Sequence, residues 1–184
     1  EVVDQSPIYF ITMDMAEDGS LWAVGDHSVN EDEWNPQLMH FPKEGSAQIF
    51  DKLSLESGEQ PCQVRVSDNG KVFLADYGAN IYEVKEDQTV TKVLTADGRF
   101  SNLQIHNNLL AFYPDDGTGV KIYDLDQKEY VEDAVLDQFM QENYPGASSN
   151  GYSSFQVFYF WGNDDAFYVA GKSGLHRHVI GGGT

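Results

Sequence analysis

Apolar residues fall along this chain in short clusters separated by turns that carry Gly, Asn or Asp, a pattern that predicts strand hairpins rather than long helices. An apolar-rich stretch over residues 8–15 leads through Glu17-Asp18-Gly19-Ser20 into Leu21-Trp22-Ala23-Val24-Gly25, and Asp-Gly supplies the positive φ that a tight turn demands. Gln63-Val64-Arg65-Val66 alternates, turns through Ser67-Asp68-Asn69-Gly70, returns over residues 71–76 and continues into Asn80-Ile81-Tyr82-Glu83-Val84 and then residues 89–94. Leu103-Gln104-Ile105 turns at His106-Asn107-Asn108 into residues 109–113, with further strands over residues 120–125 and 129–131. A last copy runs through residues 155–160, the turn Gly162-Asn163-Asp164-Asp165, residues 166–171 and residues 174–179, and stops before a fourth strand.

Four short antiparallel strands in succession form the meander of a β-propeller blade. The chain is therefore expected to be all-β, a single propeller-like domain over residues 1–184 made of about four tandem four-stranded antiparallel blades, with repeats at about 8–60, 61–99, 100–150 and 151–184. Gly19, Gly70, Asn108 and Asn163 occupy corresponding turn positions, and the excess length between them falls in two insertions. One is the acidic stretch 26–35. The other spans 133–150 and includes Val135-Leu136-Asp137-Gln138-Phe139-Met140, whose apolar spacing predicts a short helix ended near Pro145-Gly146. One blade is too thin to offset its own conformational entropy and must stack on neighbours, so the aromatic residues are expected between facing sheets. The chain ends at Gly181-Gly182-Gly183-Thr184 directly after a third strand, which reads as a piece of a longer propeller unless Glu1-Val2-Val3 supplies the missing outer strand. An unpaired outer edge could recruit a second copy by strand addition.

At Asp18-Gly19-Ser20-Leu21-Trp22-Ala23-Val24-Gly25, and again at Tyr168-Val169-Ala170-Gly171-Lys172-Ser173-Gly174-Leu175-His176-Arg177, the sequence resembles the propeller repeats of bacterial two-component regulator sensors, and NHL-like propellers share the same turn grammar. It is also similar to the propeller-like front region of bacterial extracellular solute-binding lipoproteins. Both resemblances imply a location outside the cytoplasm, at the surface of a bacterium or secreted from it.

Charge narrows the choice of partner. Thirty acidic against 11 basic residues give a net charge of −19, a field that repels phosphate backbones and anionic headgroups, so nucleic acid and membrane surfaces are poor partners. No apolar run approaches the roughly 20 residues that a membrane-spanning helix needs. The single cysteine, Cys62, cannot form an intramolecular disulfide and is expected to be a buried small hydrophobe. The chain starts at Glu1 without an initiator Met, which suits a processed protein.

Candidate chemistry is sparse. His176 and His178 flank Arg177 in a strand, which puts both imidazoles on one face as a His-x-His metal pair requires, with a third ligand needed from elsewhere. His27, His40 and His106 fall at strand ends or turns. Acidic clusters at Asn30-Glu31-Asp32-Glu33, Asp115-Asp116-Gly117, Asp124-Leu125-Asp126 and Asn163-Asp164-Asp165 carry oxygens that calcium prefers but lack the spacing of a twelve-residue calcium loop, and read as turns. No nucleophile elbow, phosphate loop, dinucleotide fingerprint or His-Glu-x-x-His helix is present in the sequence, and no catalytic residue or organic cofactor is assigned. The expected function is a non-enzymatic recognition or scaffold module of a bacterial sensor or solute-binding protein, contacting a small ligand, a glycan or a companion domain through its long loops. The alternative is a propeller-type hydrolase or lyase with a divalent cation near His176 and His178.

Overall fold

The computed structural model describes residues 9–26, 34–51, 53–56, 58–115, 117–144, 157–162 and 166–180. They fall into two compact units, Glu1–Ala96 and Asp97–Thr184. Glu1-Val2-Val3, His27 and the clusters at 30–33 and 163–165 lie outside the described residues.

The first unit holds two four-stranded antiparallel meanders. One consists of β1 (Tyr9–Met15), β2 (Leu21–Asp26), β3 (Pro36–Phe41) and β4 (Gln48–Phe50), and the other of β5 (Pro61–Val66), β6 (Val72–Asp76), β7 (Asn80–Val84) and β8 (Val90–Thr95). The hairpin glycines Gly19 and Gly70 take φ of 84° and 80°, the left-handed conformation their turns require. Cross-strand pairing lines Val24, Leu38 and Phe50 in one row across the first sheet. That row packs against Val64, Val72, Leu74 and Val84 of the second sheet to form the core of the unit. Strand alternation makes this possible, because residues two apart share a face.

Side chains of β1 also satisfy the neighbouring edge. The N–H of Val64 donates to Thr12 Oγ1 at 3.0 Å and that of Val66 to the Asp14 carboxylate at 2.8 Å. Within the second sheet, the buried Asp76 carboxylate accepts from Asn80 N at 2.9 Å and from the Tyr82 hydroxyl at 3.0 Å, which locks the β6–β7 turn.

The second unit has one four-stranded sheet, β9 (Phe100–His106), β10 (Leu109–Pro114), β11 (Lys121–Asp124) and β12 (Glu129–Tyr130). It continues into helix α1 (Ala134–Asn143) and a three-stranded sheet, β13 (Tyr159–Trp161), β14 (Phe167–Gly171) and β15 (Gly174–His178). Asp133 caps α1, its side chain accepting from Val135 N at 3.1 Å and Leu136 N at 3.0 Å. Helical spacing then places Leu136, Phe139 and Met140 on one stripe, and these pack with Ala111 and Ile122 from one sheet and Phe167 and Val169 from the other. Gly171 permits that approach, since a Cβ there would lie 2.6 Å from Phe139 Cζ. Tyr159 ties β13 to β9 through a 2.6 Å hydrogen bond from its hydroxyl to Asn102 O.

The tandem meanders and the short helix match the reading of the sequence. One local expectation does not. Cys62 is half-buried rather than buried, because it sits at the register shift between Pro61 and Gln63, where a bulge turns it out of the regular alternation. In the β9–β10 turn Asn107 takes the left-handed conformation, with φ 50°.

Candidate functional site

Strand β12 ends where its meander begins, level with the start of β9, and the chain there passes into α1. In the second unit a cavity of about 640 Å³ opens at that end, where β12 passes into the helix. Its floor is apolar: Phe112, Val120 and Ile122 are buried, and Val131 and Ala134 complete it along the chain entering α1. The aromatic wall follows from register. Tyr130 pairs with Tyr123 across β11–β12, which places their rings edge to face at 5.4 Å, and Tyr130 meets Phe112 edge to face at 6.4 Å.

Charged side chains gather at the mouth. Asp97, Glu132 and Asp137 stand on the rim with Lys121, and the three carboxylates are exposed. None of these four makes an ion pair with another described residue. Burial raises the Tyr130 phenol above its ordinary value, with the nearby Asp97 carboxylate and Tyr123 adding in the same direction. The phenol therefore stays protonated and able to donate a hydrogen bond at neutral pH.

His176 and His178 do share one face of β15, as their spacing predicts, opposite Val169 and Phe167 of β14. What they face is Phe139 of α1, with ring centroids 4.6 Å and 5.1 Å away. His176 Nε2 lies 2.9 Å from Ser173 Oγ. Burial pulls the His178 pKa below 6.5 and the His176 charge adds to this, while Asp133 opposes both. Its buried Nε2 has no hydrogen-bond partner among the described residues. Arg177 projects from the opposite face, paired in register with Tyr168. Among the described residues no group of three His, Cys, Asp or Glu side chains is placed to hold a metal ion.

The remaining candidates take structural positions. His40 stacks on Trp22 at 4.1 Å in an open cleft of about 900 Å³ in the first unit, where burial lowers its pKa against the pull of Asp18. His106 stacks on Trp161 at 5.4 Å. Asp124 accepts from the N–H groups of Asp126 and Gln127, as a turn aspartate does. The cavity beside α1 was not legible in the sequence: its wall and rim come from residues as far apart as Asp97 and Asp137. Tyr130 alone carried a signal, an aromatic residue at the end of a strand that enters an insertion.

No protein-family model matches the sequence, and no curated protein does. Solved structures do. YCF48 bound to D1 peptide superposes with a TM-score of 0.59 at 12% identity, covering 93% of this chain and 51% of that one. The extracellular domain assigned to a hybrid two-component system of B. thetaiotaomicron gives 0.57 at 12% identity, over 95% of this chain and 20% of its own. PorZ, a bacterial surface component of the type-IX secretion system of Porphyromonas gingivalis, gives 0.53 at 16% identity, over 92% and 20%. The fold is that of β-propeller proteins, built of antiparallel blades. The chain spans about half the length of the first of these structures and a fifth of the other two.

Proposed function

We propose that this chain is a non-enzymatic recognition module of a bacterial surface or secreted protein of the sensor or solute-binding kind, and that it engages its ligand at the cavity beside α1. The observation that carries this reading is the cavity itself. An apolar floor, two aromatic rings and a few polar groups converge at the end of a blade where the chain departs from the repeat, and recognition on a propeller scaffold is built from such departures. Propeller structures that bind a peptide, sense outside the cell or serve at the cell surface support the same class of role. A small ligand, a glycan or a segment of a companion domain each suits a cavity of this size.

A thermal-shift screen against small-molecule, glycan and peptide libraries tests the reading, because a ligand that binds only the folded state raises the melting temperature. The expected result is a stabilising ligand whose effect is lost in Tyr130→Ala. Stabilising ligands that are all indifferent to Tyr130→Ala, or turnover of a substrate by the purified chain, would contradict it.

A further inference from the structure

From the aromatic wall and the uncompensated charge at its mouth we infer that the cavity beside α1 takes a small organic ammonium ion, an amine carrying an apolar ring or chain. This rests on the reading of the cavity as a recognition site. Three carboxylates, Asp97, Glu132 and Asp137, face one ammonium, Lys121, so the rim carries a net charge of 1 − 3 = −2. That balance repels anions and concentrates cations at the opening.

Charge alone would suit any cation, and two observations narrow it. The cavity floor is hydrocarbon, formed by Val120 and Ile122, which offers nothing to a hydrated inorganic ion and a burial site to an apolar tail. The carboxylates do not converge: among the described residues no three acidic or imidazole groups are placed to coordinate a metal. Tyr130, 42% exposed and backed edge to face by the buried Phe112 at 6.4 Å, presents aromatic surface beside the charged rim, the arrangement in which an ammonium gains from ring and carboxylate together. A volume of about 640 Å³ falls in the range of small-ligand sites.

The test uses the full chain and three probes of one shape: phenethylammonium, phenylacetate and phenethyl alcohol, titrated by amide NMR. Phenethylammonium is expected to shift the amides of Tyr130, Val131 and Ala134 saturably, and to bind about tenfold or more tighter than phenylacetate. Asp97→Asn combined with Asp137→Asn is expected to weaken the ammonium by roughly tenfold while leaving the alcohol unchanged. Lys121→Met should move affinity the other way and tighten the ammonium by about threefold, a gain that a misfolded variant cannot mimic. Equal affinity for the three probes, tighter binding of phenylacetate, or no shift at these amides with phenethylammonium would each overturn the assignment. If the library screen places a neutral or anionic ligand here, the recognition site stands and the ammonium falls. If no ligand perturbs this cavity, both fall.

Discussion

The Asp14 carboxylate on β1 accepts the backbone N–H of Val66 on β5 at 2.8 Å, and one pleat away Thr12 does the same for Val64. Two side chains spaced by two residues thus occupy the edge of the adjoining strand that its own sheet leaves unpaired. A propeller blade needs such a device, because its first strand has a partner on one side only. The second unit solves the same problem with different residues, Tyr159 donating to the carbonyl of Asn102, and Asn102 Nδ2 to that of Val157 at 3.3 Å.

Removing the acceptor from β1 strands a donor on β5. Asp14→Ala is expected to cost about 1–2 kcal/mol by urea denaturation, Thr12→Val a similar amount, and Asp14→Asn less, since an amide oxygen still accepts. The two losses should add incompletely, because the residues brace the same strand.

Gly171→Ala tests how α1 is seated. The new methyl would lie 2.6 Å from Phe139 Cζ and 2.8 Å from Asn143 Oδ1, so the helix must shift, at an expected cost of about 1–3 kcal/mol. Gly171→Ala combined with Phe139→Leu, which clears the contact, should lose less than the two single substitutions summed.

His178 makes stability depend on pH with a definite sign. Its folded pKa lies below 6.5 because burial against Phe139 disfavours the imidazolium, so the unfolded chain takes up the proton first. Stability is therefore full above about pH 6.5 and falls as the pH drops through the unfolded value and on to the depressed folded one. His40, also depressed by burial, contributes with the same sign. Denaturation midpoints measured from pH 7.5 to 5.5 should decline in the parent chain and decline less in His178→Phe. Parallel pH dependences for the two would show that His178 is not a source of the effect.

The blade pattern was legible because it is local. Alternation in Gln63-Val64-Arg65-Val66, the Gly70 turn and the return over residues 71–76 lie within one hairpin, and each feature acts on its neighbours in the chain. The same locality put His176 and His178 on one face. It said nothing of Phe139, the ring they meet, because docking α1 onto β15 brings together residues 37 and 39 positions apart, an arrangement that no spacing encodes. The cavity was hidden for the same reason. Its aromatic residues looked like filling between sheets, and Phe112 is that in part, but Tyr130 is 42% exposed at the cavity wall because the strand carrying it is only two residues long. Cys62 shows the limit in miniature: alternation predicts its side, and a bulge one residue long alters it.

The most direct test of the recognition reading is to map amide chemical-shift changes across the full chain during titration with the stabilising ligand from the library screen. Saturable shifts are expected to concentrate at Tyr130, Val131, Glu132 and Ala134 and to be abolished by Tyr130→Ala. Shifts gathered instead around Trp22 and His40, or around His176 and His178, with Tyr130 silent, would contradict that reading.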